Sequence, residues 1–315
     1  MTMRTPELTS TLPPLRLGLC QVETRPWDIE GNTSRTFRAL EAAARDGAQL
    51  AITPENVLQG YPVHDTPEKQ ARLREIAEPP DGPRLLQTRE LAAKHGMDVV
   101  IGFAERVTRG RGEPRLHNSA AYITRTGELA ALYRKVHCRP FEAAWCDGLY
   151  VPGEEFAAAP CETRGTSYTI GIYICFDREI PESTRCLRAM GSQLVACPLA
   201  TNTSRLDAPL SRADNEMLTR ARAAENEVFI AVVNHSGSFN GGSFVVGPSG
   251  ECLLQLGAEP EVRVIDLPLG AVPQHFHSNP LGWAGWAFRR PEVYDEYLGA
   301  DAYTSPAAGD VTESA

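Results

Sequence analysis

Cys175 stands at the end of the apolar run Tyr168-Thr-Ile-Gly-Ile-Tyr-Ile174, which is short, β-branched and aromatic, the pattern of a buried strand. Behind the cysteine comes Phe176-Asp177-Arg178-Glu179-Ile180-Pro181-Glu182. Pro181-Glu182 has the signature of a helix's first turn, with proline near the start and an acid at the positive end. The spacing therefore puts Cys175 where a strand turns toward a helix, at the edge of an α/β sheet where ligands bind. A thiol there is placed as a nucleophile. The backbone N–H of Phe176 beside it is a natural donor to an oxyanion.

Such a thiol needs partners, because free cysteine is only slightly ionised near neutrality. Histidine is the usual one, but His64, His95 and His117 read as loop or helix-end residues, and His275 and His277 sit in a Pro-rich late loop. Two other segments fit better. The run 48–53 is followed by Pro54-Glu55-Asn56, and the run 129–133 by Arg134-Lys135-Val136-His137. Each sets an ionisable side chain at a strand end, so a glutamate, a lysine and a cysteine can converge. Taken singly, each has a plainer reading: a core thiol, a cap acid, a solvated basic strand end. Cys197, at a strand end before Pro198, lacks a helix-start acid behind it and serves as the contrast.

The elements that must position these residues follow from periodicity and punctuation. Strands are predicted at 15–22, 49–53, 98–104, 119–124, 129–133, 168–174, 193–196, 228–234, 243–246, 252–256 and 261–266. Helices are predicted at 32–46, 83–95, 181–190 and 210–226, the first with an N-cap signal at Asn32-Thr-Ser-Arg and a stop at Asp46-Gly47. Strands and helices alternate early, and antiparallel-looking strands around the turn Pro248-Ser-Gly250 close the chain. That order fits a helix–sheet–sheet–helix sandwich.

Composition narrows the function classes. The chain has 315 residues and a net charge of −9, and its pI is about 5.4. This argues against nucleic-acid and anionic-membrane partners. No apolar run is long enough to span a membrane, and residues 1–14 lack the apolar core of a signal peptide. A cytoplasmic location is expected, with the eight cysteines reduced. Cys20, Cys197 and Cys252 lie on apolar strands, where cysteine is a small buried hydrophobe. There is no Cys-x-x-Cys pair, and His137-Cys138 with Cys146 lacks zinc spacing, so no metal site is expected.

Read together, these motifs resemble the nitrilase (carbon–nitrogen hydrolase) superfamily. Pro54-Glu55 with Gly60-Tyr61, Tyr133-Arg-Lys-Val-His137, Ile174-Cys-Phe-Asp177 with Pro181-Glu182, Arg222-Ala-Ala-Glu-Asn226 leading to Asn234 and Gly237, and Gly242-Ser243 through Gly247-Pro-Ser-Gly250 stand in the family's order over roughly residues 15–295. The resemblance implies a four-layer αββα sandwich, a Glu55–Lys135–Cys175 triad, no cofactor, and hydrolysis of a C–N bond through a cysteine thioester. It implies Glu55 as general base and Lys135 as oxyanion stabiliser.

A second acid usually follows the lysine in this family. Counting back from Pro152-Gly153 lands near Asp147, which is slightly favoured; counting forward from Lys135 lands on Glu142. Cys-Phe-Asp in place of the nitrilase Cys-Trp-Glu favours a small amide or N-carbamoyl compound over a nitrile. Nitrile hydrolysis, acyl transfer from the thioester to an amine, and a non-catalytic binding role are the alternatives. Arg178 stands in the position of a carboxylate-binding arginine of the carbamoylases this chain resembles, but their second arginine is replaced by Glu179; Tyr61 and Asn202 are further substrate-binding candidates. Glu225 is read as a structural ion-pair partner. The expected organisation is an extension at 1–14, a hydrolase domain at 15–282 and a segment at 283–315. Trp283, Trp286 and Phe288 of that last segment are expected to contact a second subunit of a homodimer or larger homo-oligomer.

Overall fold

The computed structural model describes residues 10–108, 113–144, 148–163, 165–201, 209–272 and 289–298. In chain order the elements are β1 (Leu15–Gln21), α1 (Ile29–Arg45), β2 (Leu50–Ile52), α2 (Pro67–Ile76), α3 (Pro83–His95), β3 (Asp98–Val107), β4 (Arg115–Ile123), β5 (Leu129–Arg134), β6 (Ala157–Thr163), β7 (Thr166–Ile172), α4 (Pro181–Ala189), β8 (Leu194–Pro198), α5 (Pro209–Asn226), β9 (Phe229–Val233), β10 (Phe244–Val246), β11 (Cys252–Gln255), β12 (Glu261–Leu267) and α6 (Pro291–Leu298).

The strands form two six-stranded sheets, ordered β12-β1-β2-β3-β4-β5 and β11-β10-β9-β8-β7-β6. Strand alternation decides what lies between them. Leu15, Leu17, Leu19 and Val100 point from the first sheet into the core shared with Ile170, Ile172 and Leu194 of the second. Cys20, Val99, Ile101 and Phe103 point the other way, onto Leu40 and Ala43 of α1 and Leu85 and Leu91 of α3. Leu187 of α4 and Ala223 of α5 cover the second sheet. This is the αββα sandwich.

Topology brings the ends of three strands to one edge. β1, β2 and β3 are parallel, and β4 is antiparallel to both β3 and β5, so β5 runs with β2. In the second sheet β7, β8 and β9 are parallel.

The structure departs from the sequence reading at a few elements. β6 was not expected: Ala-Ala-Ala-Pro-Cys-Glu-Thr has weak strand propensity, and its Pro160 is tolerated because β6 is an edge strand. α2 was not expected either, being mostly polar with Leu73 as its buried anchor. α1 starts earlier than Asn32. Asp28 caps it, accepting from the Gly31 N–H at 3.0 Å. The Asn32 side chain instead clasps both the N–H and the carbonyl of Arg25.

One glycine has a direct bearing on the edge. A Cβ on Gly102 would stand 2.4 Å from the Pro54 carbonyl oxygen and 2.8 Å from the Asn56 nitrogen. Gly102→Ala is therefore expected to destabilise the fold by about 1–3 kcal/mol as the 54–56 turn is pushed off β3. Urea unfolding checks this, and an unchanged midpoint would mean the turn has slack.

Candidate active site

Glu55 lies three residues past β2, in a turn that the sequence makes tight. Asn56 is held at φ 48°, in the left-handed region, and its carbonyl accepts from the N–H groups of Gln59, Gly60 and Tyr61 at 3.1, 2.9 and 3.3 Å. The Glu55 carboxylate is fully buried. Its Oε1 accepts from Lys135 Nζ at 2.9 Å and from Asn118 Nδ2 at 2.6 Å. Its Oε2 is buried and meets no donor among the described residues.

Lys135 directly follows β5, its N–H donating to the Asn118 carbonyl at 2.8 Å. Its ammonium bridges Glu55 and Glu142, reaching Glu142 Oε2 at 2.7 Å. Glu142 comes from the loop after β5 and is as buried as Glu55. It also accepts from Tyr61 OH at 2.8 Å, the Arg139 N–H at 2.9 Å and Asn118 Nδ2 at 3.2 Å. The loop closes tightly: a Cβ on Gly148 would stand 2.2 Å from the Glu142 carbonyl carbon. Glu142, the less favoured of the two candidate acids, is thus the one placed against Lys135. Asp147 lies outside the described residues, as does Asn202.

Cys175 begins a 3₁₀ turn, Cys175–Glu179, between β7 and α4. It is held at φ 49° and is 4% exposed. Asp177 ties this turn to the lysine strand. It accepts from the Ile174 N–H at 2.9 Å, Tyr133 OH at 2.7 Å and the His137 N–H at 2.8 Å, and its Oδ1 meets His137 Nδ1 at 2.9 Å. The aspartate of Cys-Phe-Asp is thus a buried clasp between the two sheets. The Phe176 N–H is in the first turn, where helical N–H groups have no partner within the turn itself. The Arg139 guanidinium lies 4.5 Å over the Phe176 ring. Arg178 is buried, donating to Thr219 Oγ1 of α5 at 3.3 Å and lying 3.7 Å from Glu179.

The electrostatics follow from one buried cation between two buried carboxylates. Burial pushes the Lys135 pKa down, but Glu142 and Glu55 outweigh it and hold the ammonium charged, well above the usual lysine range. Burial likewise pushes Glu142 up, but the Lys135 charge and bond, with the Arg139 N–H and Tyr61, hold it below the usual carboxylate range. Glu55 goes the other way. Burial raises it, Lys135 opposes, and the charge of Glu142 adds to the rise. The Cys175 thiol is pushed up to about 12, first by burial and then by Glu55, against Lys135 and Arg178. The resting site therefore holds a neutral thiol near a carboxylate of raised pKa. A base that can take a proton and return it is what such a pair requires.

Two site residues escaped the sequence reading. Asn118 joins both carboxylates, but Leu116-His-Asn-Ser119 reads as the approach to a strand, whereas β4 already runs through it. A buried polar residue within an apolar strand was the available signal. His235 sits at the end of β9 as Glu55 sits at the end of β2, and its Nε2 meets the Glu55 carbonyl at 2.7 Å. Asn234 organises the neighbouring loop, donating to the carbonyls of Thr201 at 2.9 Å and Gly241 at 2.7 Å. Glu225 pairs with Arg185 and Arg222, each at 3.1 Å. Cys197 is fully buried, but Cys252, read as a buried strand thiol, is exposed on the edge strand β11, as is Cys186 on α4. His275, His277, Trp283, Trp286 and Phe288 lie outside the described residues. Among the described residues no helix is long and apolar enough to cross a membrane.

A family model for carbon–nitrogen hydrolases matches residues 16–274. An (R)-stereoselective amidase of Pseudomonas sp. is 32% identical over 263 residues, covering 81% of this chain and 85% of that protein. The N-carbamoylputrescine amidase of Solanum lycopersicum is 26% identical over 289 residues, 87% of this chain and 92% of its own. Among solved structures, a glutamate-to-glutamine variant of the amidase from Nesterenkonia sp. AN1 superposes with a TM-score of 0.69 at 28% identity, covering 92% of this chain and all of that one. It shows the acetamide moiety of fluoroacetamide added covalently at the active-site cysteine.

Proposed function

The chain belongs to the carbon–nitrogen hydrolase family, and from that premise we propose that it hydrolyses a small amide or N-carbamoyl compound through a Cys175 thioester, with Glu55 as base and Lys135 as oxyanion partner. The observation that carries this reading is the divided environment of Glu55. One carboxylate oxygen is fixed by Lys135 and Asn118, and the other is buried with no donor among the described residues. A carboxylate so held has one oxygen free for proton transfer. Its raised pKa suits it both to take a proton and to give it back.

The steps balance on one proton shuttled by Glu55. Glu55 Oε2 takes the Cys175 thiol proton as sulfur attacks the carbonyl carbon. The oxyanion forms against the Lys135 ammonium and the Phe176 N–H. The tetrahedral intermediate collapses with cleavage of the C–N bond, and Glu55 delivers its proton to the departing nitrogen, leaving a thioester. Water then attacks the thioester, giving its proton to Glu55, and the C–S bond breaks with return of that proton to sulfur. The products are a carboxylic or carbamic acid and ammonia or an amine. Glu142 does not shuttle a proton in this scheme. Its depressed pKa keeps it anionic, so that it holds Lys135 in place and also accepts from the Tyr61 hydroxyl.

The carbamoyl option is supported by similarity to the N-carbamoylputrescine amidase and the amide option by similarity to the amidases. Arg178 acts here through its charge on Cys175. To grip a substrate carboxylate it would have to leave Thr219.

The test is ammonia release from a panel of primary amides, N-carbamoyl amino acids and amines, and nitriles, with hydroxylamine added to trap acyl transfer. Turnover of amide or carbamoyl substrates with little on nitriles is expected. Efficient nitrile hydrolysis with no amidase activity would overturn the substrate class.

A further inference from the structure

We propose that His235 is a positioning residue for the catalytic base, a neutral imidazole that locks the Glu55–Asn56 peptide unit so that the carboxylate stays on Lys135. The inference rests on the reading of Glu55 as base. His235 follows β9 of the second sheet, whereas Glu55 follows β2 of the first, so the contact spans the sandwich at its active edge. The ring is fully buried and both nitrogens are engaged. Nε2 is 2.7 Å from the Glu55 carbonyl oxygen, and Nδ1 is 2.7 Å from Thr24 Oγ1.

The carbonyl fixes the tautomer. It can only accept, so Nε2 carries the hydrogen, and Nδ1 accepts from the Thr24 hydroxyl. Burial pulls the imidazole pKa down to about 4, against the Glu55 carbonyl bond, so the ring stays neutral under ordinary assay conditions. The Phe239 ring lies 4.8 Å from the imidazole at 32° and meets Tyr61 edge-on at 6.0 Å, which continues the contact to Glu142.

The turn it holds carries Asn56 at φ 48°, in the left-handed region, which costs an asparagine less than other non-glycine residues but is still less favourable than ordinary backbone. Its own carbonyl is held by the N–H groups of Gln59, Gly60 and Tyr61, whereas the preceding Glu55 carbonyl is held by His235. The only other backbone tie from Glu55 to the second sheet among the described residues is its N–H to the Leu199 carbonyl, a long 3.4 Å. Without the imidazole, rotation of the peptide unit relaxes Asn56 and swings the Glu55 side chain off Lys135 and Asn118. His235 is fully buried with both ring nitrogens engaged by protein groups, so it is not placed to bind substrate and its loss should appear in kcat.

The experiment compares His235→Leu, His235→Gln, Thr24→Val and Glu55→Gln in the full chain, on the best substrate of the panel. His235→Leu is expected to lower kcat about 10–100-fold with KM within about twofold, the scale of loss for a misplaced catalytic group. His235→Gln, whose amide can donate to the same carbonyl, should recover kcat to within a few-fold of the parent. Thr24→Val should show a smaller loss in kcat alone. Parental kcat in His235→Leu, or equal losses in the leucine and glutamine variants, would overturn the proposal. Should His235→Leu not fold, the glutamine and valine variants decide: lost kcat in the first, or none lost in the second, overturns it. Glu55→Gln separates the two claims. If it stays active, the reading of Glu55 as base fails and this inference with it. If it is inactive while His235→Leu is normal, only the inference fails.

Discussion

Cys175→Ala is expected to abolish turnover and to leave the fold almost untouched. In this mechanism the sulfur forms the bond that splits one hard hydrolysis into acylation and deacylation. Without it, Lys135, Phe176 and Glu55 can only assist direct attack by water. Loss of one member of a group acting as a unit typically costs on the order of 10⁴–10⁶-fold in kcat. Stability should change little. Only the sulfur is lost, about 1 kcal/mol of buried apolar area. Alanine meets the same left-handed backbone at φ 49° as cysteine does. The removed thiol takes no part in the Asp177 clasp, which is made by the N–H of Ile174, the N–H of His137 and Tyr133. The measurement is ammonia release over days beside a urea melt. More than a trace of activity in a homogeneous Cys175→Ala preparation would remove Cys175 from the chemistry. General alkylation of the resting enzyme is the weaker test, because Cys186 and Cys252 are exposed whereas Cys175 is a buried thiol of raised pKa.

How far the sequence discloses this site depends on the kind of signal each residue leaves. Glu55, Lys135 and Cys175 follow apolar runs at strand ends, and those runs together with the motif order brought them out as candidates. The fold was legible for the same reason: strands such as β3 and β9 are continuous apolar runs, and α3 is bounded by Pro83 and Gly96. β6 and α2 were not legible, because a proline-bearing alanine run and a charged helix are held by what they pack on, not by their own propensities. The second acid shows the limit of counting. Position relative to Pro152-Gly153 points to Asp147, but the loop folds back with Gly148 against the Glu142 backbone. Counting forward from Lys135 offers Glu142 instead, and the three-dimensional turn decides between the two counts by setting Glu142 against Lys135. Asn118 and His235 make their side-chain hydrogen bonds to groups far away in sequence, and no local pattern encodes such partners.

Lys135→Ala is the second large effect, and it should strike activity and stability together. The ammonium is the charge that permits two carboxylates to be buried side by side, at 2.9 Å from Glu55 and 2.7 Å from Glu142. Removing an oxyanion donor costs about 10²–10³-fold in kcat. Removing one partner of a buried ion pair costs about 3–5 kcal/mol of stability, because the remaining charge is uncompensated. The pH dependence tests that cause. In the parent, Glu142 has a depressed pKa, so its contribution is present above its unfolded pKa and is lost as pH falls through the folded one. Glu55, whose pKa is raised, contributes with the opposite sign, and its share is lost as pH rises through its folded pKa. Without Lys135 both carboxylates are raised by burial and by each other, so both lose stability as pH rises. The deficit of Lys135→Ala should therefore be large near about pH 8 and shrink toward about pH 5, where the acids can be buried neutral. Urea midpoints of parent and variant at the two pH values measure it. A deficit that is equal at both would mean that the lysine stabilises the fold by packing its aliphatic chain, not by carrying the charge between two buried acids.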